Sequence, residues 1–193
     1  MPLVWAARVQ GTPLPERVAG SNLIWSVSRA AAHDARTVYF LGGDPGTAER
    51  AADVLRARFP GFVCAGTHCP PFGFEKDPRQ REEIENRLRA ARPDLVYVAL
   101  GSPKQERLIG ELRTKLAEDL AATWWLGIGI SFSFVTGDVR RAPRWMQRLG
   151  LEWVHRLGQE PRRLARRYLV DDLPFAFALF TRAARRRVGG REE

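Results

Sequence analysis

Cysteine is scarce in this chain: Cys64 and Cys69 are the two thiols among 193 residues. Two thiols do not make a disulfide framework, so the sequence predicts a fold held by its apolar core in a reducing cytosol. Long apolar runs are missing too, and none approaches the roughly 20 residues that a membrane-crossing helix needs. Internal repeats and low-complexity tracts are absent, and 45% hydrophobic residues are too many for a disordered chain. No basic-then-apolar leader opens the sequence, which predicts a protein that is not secreted. What these absences leave is a soluble globular chain of single-domain size.

What is present in excess is positive charge, and it is unevenly placed. The net charge is +9. Residues 1–139 hold 17 Lys/Arg against 16 Asp/Glu, whereas residues 140–193 hold 14 arginines, no lysine and 6 acidic residues, a net of +8. A near-neutral body therefore carries a strongly basic C-terminal segment. Such asymmetry points to a polyanionic partner: nucleic acid, an anionic membrane or a phosphorylated ligand.

The body alternates short apolar runs with helical periodicity. Residues 37–41, 62–65, 95–100 and 124–126 read as strands, with helices expected over about 48–59, 77–91 and 104–118. The strands are continuously apolar, which indicates a parallel sheet covered on both faces and predicts a Rossmann-like α/β fold. Each strand is expected to end at glycine: Gly42-Gly43, Gly66, Gly101 and Gly127-Ile128-Gly129. In open α/β sheets ligands bind at the carboxyl ends of the strands, where glycine lets a ligand approach the backbone and helix N-termini favour phosphate. A nucleotide or nucleotide-sugar is the expected ligand class. Gly42-Gly43-Asp44-Pro45-Gly46 matches neither a Walker loop nor a G-x-G-x-x-G fingerprint, which argues against an ATPase or an ordinary dehydrogenase.

Gly101-Ser102-Pro103-Lys104-Gln105-Glu106 is the sharpest local signal. A proline at a helix start, followed by three polar residues, sets Lys104 to meet a phosphate and Gln105 to fix a sugar hydroxyl or a base edge. Glu106 suits the positive end of the helix and reads as the most structural of the three. A solvated first turn explains the same residues without a ligand. Cys64, His68 and Cys69 form one cluster without a second ligand pair, so packed thiols are expected there rather than a metal. His33 and His155 have no partner signature and read as structural.

Residues 140–193 look helical throughout. Trp145, Leu149, Trp153 and Leu157 supply one apolar face, whose simplest reading is packing against the sheet. Farther on, Leu173-Pro174-Phe175-Ala176-Phe177-Ala178-Leu179-Phe180 is flanked by arginine clusters, the composition of a helix lying at a membrane surface. Exclusive use of arginine suits bidentate phosphate recognition.

Taken in order, these motifs resemble the WecG/TagA/CpsF glycosyltransferases, glycosyltransferase family 26. The resemblance is carried by Pro15-Glu16-Arg17-Val18-Ala19-Gly20-Ser21, Phe40-Leu41-Gly42-Gly43, Pro70-Pro71-Phe72, the Pro-Lys-Gln-Glu segment at 103–106 and Gly127-Ile128-Gly129. It continues through Gly137, Arg141-Ala142-Pro143, Gly150-Leu151-Glu152-Trp153, and Glu160-Pro161-Arg162-Arg163-Leu164 with Arg167-Tyr168. The resemblance implies an inverting transfer of an N-acetylmannosamine-type sugar from a UDP-sugar to an undecaprenyl-diphosphate-linked N-acetylglucosamine. Products of that kind feed teichoic acid, common antigen or capsular polysaccharide. It also implies work without a bound metal, at the inner face of the plasma membrane, with the C-terminal appendage on the lipid.

On this reading residues 1–139 form the UDP-sugar core and 140–193 the membrane-associating appendage. Arg17, Gly42, Gly43, Lys104, Gln105, Gly127 and Gly129 would hold the donor, and Arg163 and Arg167 would meet a diphosphate. The family's catalytic Asp-Gly precedes the residues matched by Met1-Pro2-Leu3-Val4-Trp5, so the chain is expected to be truncated at its N-terminus and its catalytic base is unassigned. Many members also carry Phe-Asp where Phe132-Ser133 stands, which puts one donor-pocket carboxylate in question. Two rival readings are a binding protein impaired by truncation and a nucleic-acid-binding module; the second lacks any helix-turn-helix, RNA-recognition or zinc signature. Homo-oligomerisation is open.

Overall fold

A computed structural model describes residues 2–15, 18–159, 161 and 173–189. The chain divides into two compact units, one of residues 18–140 and one formed by 1–17 together with 141–193.

The larger unit is built on a four-stranded, wholly parallel sheet with strand order β2-β1-β3-β4. The strands are β1 (Thr37–Gly42), β2 (Val63–His68), β3 (Leu95–Ala99) and β4 (Trp124–Gly127). Helix α2 (Gly20–His33) precedes the sheet; α3 (Thr47–Arg58), α4 (Pro78–Ala91) and α5 (Lys104–Lys115) form the crossovers, and α6 (Ser131–Thr136) follows β4. This is the expected Rossmann-like α/β fold, with the chain reversing direction across the sheet between β1 and β3.

Alternation along the strands explains why they read as unbroken apolar runs. Val38, Phe40 and Tyr97 face one layer with Ile24 of α2, Ala48, Ala51 and Leu55 of α3, and Phe132 of α6. Tyr39, Leu41, Val96 and Val98 face the other, with Ile84 and Leu88 of α4 and Leu108 and Leu112 of α5. Both faces are buried, so neither parity of residue is free to be polar. Each of these large side chains contributes about 1.5–3 kcal/mol by leaving water.

Local chemistry sets the ends of the elements. Asp77 caps α4, its carboxylate accepting the Arg79 N–H at 2.9 Å, and Pro78 opens the helix. At the amino-terminal edge of the sheet Asp94 Oδ2 accepts from the Thr37 N–H (2.8 Å) and the Thr37 hydroxyl (2.9 Å), while the Asp94 N–H donates to Thr37 Oγ1 at 3.0 Å. Deep in one layer Ser28 of α2 hydrogen-bonds the Tyr97 hydroxyl of β3 at 3.0 Å, and burial pushes that phenol up to about 12.

One strand-level expectation changes. β2 does not end at Gly66; it runs on to His68. Its ladder slips between Val38, which pairs with Cys64, and Tyr39, which pairs with Gly66, leaving Ala65 as an extra residue. Gly66 is needed inside the strand because a Cβ there would lie 2.7 Å from the Tyr39 ring. α2 and α6 were not anticipated, since a buried serine interrupts the apolar face of α2 and α6 is under two turns long.

The smaller unit contains α1 (Pro2–Gln10), α7 (Arg144–Leu149), α8 (Glu152–Gln159) and α9 (Leu173–Gly189). Helix α1 packs on α9: Ala6 and Ala183 are buried, and Arg187 Nη1 donates to the Val9 carbonyl at 3.3 Å. Residues 1–17, expected at the head of the sugar-binding core, are thus grouped with the basic segment. Gly150, at φ +75°, turns α7 into α8, and Arg141 Nε lies 3.5 Å from Glu152 Oε1. Trp145 is 59% exposed and Trp153 45%. No helix among the described residues is long and apolar enough to cross a membrane.

Candidate functional site

Because all four strands run parallel, their carboxyl ends share one edge, and three of the expected glycine positions gather there. Gly42 (φ +95°) marks the crossing of β1 and β3, where a Cβ would lie 2.7 Å from the Ala99 carbonyl oxygen. Gly43 donates its N–H to that same oxygen at 2.8 Å, and its Cα faces the buried Phe132 ring. Gly42 is therefore required by close backbone approach at the switch point, and Gly43 by its φ of +85° beside the Phe132 ring. The Gly43 N–H is engaged by β3 and its carbonyl accepts from the Cys69 thiol at 3.2 Å, so what this turn offers a ligand is its shape.

The first turn of α5 supplies the polar groups. It opens after a cis Ser102–Pro103 peptide, and the Gln105 N–H donates to the Gly101 carbonyl at 3.0 Å. The Gln105 side chain is only 6% exposed, although its neighbours on both sides are exposed. Its Oε1 accepts the Gly129 N–H at 3.1 Å and its Nε2 donates to Glu106 Oε1 at 2.9 Å. Gly127 makes room for it, since a Cβ there would stand 2.9 Å from Nε2. Gly129, at φ +54°, has open space beside its Cα and serves the turn that aims its N–H at Gln105. The amide is thereby fixed in orientation between the end of β4 and the start of α5.

Lys104 projects beside it. Its Nζ lies 2.5 Å from Glu75 Oε1 and 5.0 Å from the centroid of the Phe72 ring. The ammonium holds the Glu75 carboxyl below the usual glutamate range. Glu75 sits on the single helical turn Phe74–Lys76 that follows the Pro70-Pro71-Phe72-Gly73 loop. The loop is pinned by Phe74, buried against Ile84 and Leu88, while Phe72 is 100% exposed.

The structure thus brings Gly42, Gly43, Lys104, Gln105, Gly127 and Gly129 to one edge of the sheet. Arg17, Arg163 and Arg167 lie outside the described residues. Glu75 was missed by the sequence reading, and Phe72 was marked only as part of a motif; the Pro-Pro-Phe-Gly loop was the available signal. Glu106, read as structural, serves as the partner of the Gln105 amide. Ser133 is buried within α6, where its carbonyl accepts from the Val139 N–H at 3.1 Å.

Cys64 and His68 lie within β2, and Cys69 directly follows it. The Cys64 thiol donates to the Gly66 carbonyl at 3.5 Å, and burial pushes both thiols up and the His68 imidazole down, favouring their neutral forms. Among the described residues no group of three His, Cys, Asp or Glu side chains is placed to hold a metal ion.

Comparison with known proteins adds a family to this geometry. The family described as glycosyl transferase WecG/TagA/CpsF matches residues 1–189. A relative from Bacillus spizizenii (strain W23), named N-acetylglucosaminyldiphosphoundecaprenol N-acetyl-beta-D-mannosaminyltransferase, is 34% identical over 164 residues. That match covers 85% of this chain and 60% of the relative, so the chain corresponds to under two thirds of the relative's length. With the glycine-lined sheet edge, the Pro-Lys-Gln-Glu turn and all but the last four residues of the Arg-rich segment falling inside the matched residues, the chain belongs to the WecG/TagA/CpsF glycosyltransferase family.

Proposed function

We propose that this chain is an inverting glycosyltransferase that binds its donor at the sheet edge and faces a membrane. The reaction would move an N-acetylmannosamine-type sugar from a UDP-sugar to an undecaprenyl-diphosphate-linked N-acetylglucosamine, in the synthesis of a cell-surface polysaccharide. The observation that carries the reading is the buried, doubly hydrogen-bonded Gln105 amide beside the Lys104 ammonium at the carboxyl edge of the sheet. Buried polar groups held in one orientation discriminate between substrate hydroxyls, and a cation beside them suits a diphosphate.

The chemistry asks for two things. As the acceptor hydroxyl attacks the anomeric carbon, the bond to UDP breaks and negative charge grows on the diphosphate. Lys104, with Arg17, Arg163 and Arg167, would stabilise that charge, the role a divalent ion fills in other transferases, so the proposal includes no metal. The acceptor proton must also pass to a base on the opposite face of the sugar. No residue of this chain is assigned that role.

A lipid-linked acceptor places the reaction at a membrane, proposed here as the inner face of the plasma membrane, with the protein peripheral to it. Support comes from α9, where Phe175 and Phe177 are exposed on the same helix as Arg182, Arg185, Arg186 and Arg187. Homo-oligomerisation is compatible with the reading, and nucleic acid has no part in it.

The test is transfer of labelled sugar from UDP-N-acetylmannosamine to a lipid-diphosphate N-acetylglucosamine acceptor, run beside donor binding by calorimetry. The Gln105→Ala variant is expected to lose donor binding and transfer while keeping its unfolding midpoint within a few degrees. Full activity in that variant would remove Gln105 from the site.

A further inference from the structure

Lys104 is already engaged. Its ammonium is held between a carboxylate at 2.5 Å and an aromatic face at 5.0 Å, on a loop whose backbone is fixed at both ends. Phe74 anchors one side of Glu75 in the core, and Asp77, two residues on, caps α4. Besides Lys104, the Glu75 carboxylate is held by its own backbone N–H, a contact within one residue that a change of side-chain rotamer releases without moving the loop. A diphosphate arriving at Lys104 would meet a full negative charge a hydrogen bond away from the cation it needs. It must either exchange with that carboxylate or bind against its repulsion.

We propose that Glu75 is an exchangeable counter-ion of the donor site: it holds Lys104 over the Phe72 ring and yields it to the diphosphate of the incoming ligand. The inference rests on the reading of this edge as a nucleotide-sugar site and adds to it the residue that sets how readily an anion is accepted. Phe72 keeps the ammonium aligned during the exchange, because a ring face attracts a cation and has no charge to compete with a phosphate. The pair works as a selectivity filter. A singly charged anion gains little by displacing a carboxylate of equal charge, whereas a diphosphate brings more charge and two phosphoryl groups to one ammonium.

Calorimetric titration of the intact chain with inorganic pyrophosphate, and separately with UDP, tests this. Four proteins suffice: wild type, Glu75→Gln, Lys104→Ala and the double variant. Glu75→Gln is expected to bind pyrophosphate roughly two- to five-fold more tightly than wild type, the range a partly exposed ion pair allows. Lys104→Ala is expected to weaken binding, and the gain from Glu75→Gln should vanish in the Lys104→Ala background. Glu75→Ala repeats the first comparison with a different side chain, in case the glutamine variant folds poorly. Unchanged or weaker binding in both Glu75 variants overturns the inference, as does a gain that survives without Lys104. Wild-type binding of pyrophosphate but not UDP would overturn the nucleotide reading while the Glu75 comparison still stands; binding of neither overturns both.

Discussion

The Gln105 carboxamide accepts the Gly129 backbone N–H at 3.1 Å, and this one contact ties the first turn of α5 to the turn after β4. With the oxygen so engaged, the amide nitrogen is left facing Glu106 and the Cα of Gly127. The donor site proposed above depends on that orientation, which makes the small residue beneath it as informative as the glutamine itself.

Gly127→Ala separates positioning from folding. Gly127 lies outside the left-handed region, so alanine is compatible with its backbone, but the new methyl would stand 2.9 Å from Gln105 Nε2. The end of a flexible side chain gives way before the strand does. The expected outcome is transfer reduced roughly 10- to 100-fold, the cost of a displacement near 1 Å. The unfolding midpoint should stay close to wild type, and assay with parallel thermal denaturation checks both.

Asp94 predicts how stability depends on pH. The Thr37 N–H first, and then its hydroxyl and Arg36, hold the Asp94 carboxyl below its ordinary 3.8. A group that is more acidic folded than unfolded stabilises the fold fully above its unfolded value. That contribution fades as pH drops from there through the depressed folded value. Urea midpoints of wild type are therefore expected to fall below about pH 4, with Asp94→Asn showing a smaller fall. At neutral pH Asp94→Asn should cost about 1–2 kcal/mol, since the charged acceptor of several hydrogen bonds is lost.

Vesicle binding probes the second unit. Phe175 and Phe177 are 59% and 74% exposed, so truncating them costs the fold little, within about 0.5 kcal/mol. The Phe175→Ala/Phe177→Ala double variant is expected to partition at least about tenfold less onto vesicles containing anionic lipid, because each phenyl would lose its burial in the lipid interface. Co-sedimentation measures this. Unchanged partitioning, or tighter binding to DNA than to vesicles, would count against the membrane assignment.

Much of the molecule is legible along the chain, and the readable parts share a reason. Strands β1 and β3 announce themselves because both sheet faces are covered there, so their buried runs are apolar, and β4 is read from the apolar Trp124-Trp125-Leu126 run although Trp124 is exposed. Asp77-Pro78 announces α4 because capping is chemistry between near neighbours. Lys104 and Gln105 could be singled out because a proline-led helix start after a strand is itself a short-range pattern, and the family motifs run through the same residues. The +8 segment needs only counting.

Other features depend on residues far apart in sequence, and only the folded chain brings them together. α2 is obscured by Ser28, whose partner is the Tyr97 hydroxyl 69 positions away. The Ala65 bulge and the room that Gly66 leaves for the Tyr39 ring arise from the pairing of β1 with β2. α1 is a weakly patterned helix whose place beside α9 is set by packing across almost the entire chain. The sequence by itself determined the fold class, the basic segment and which turn carries the polar residues of the candidate site, since each is written in local composition. Tertiary structure decided that Glu75 and Phe72 join Lys104, and that Gln105 is clamped between Gly127 and Gly129. Those contacts are made by the parallel winding of the sheet, which delivers the ends of separate strands to one edge.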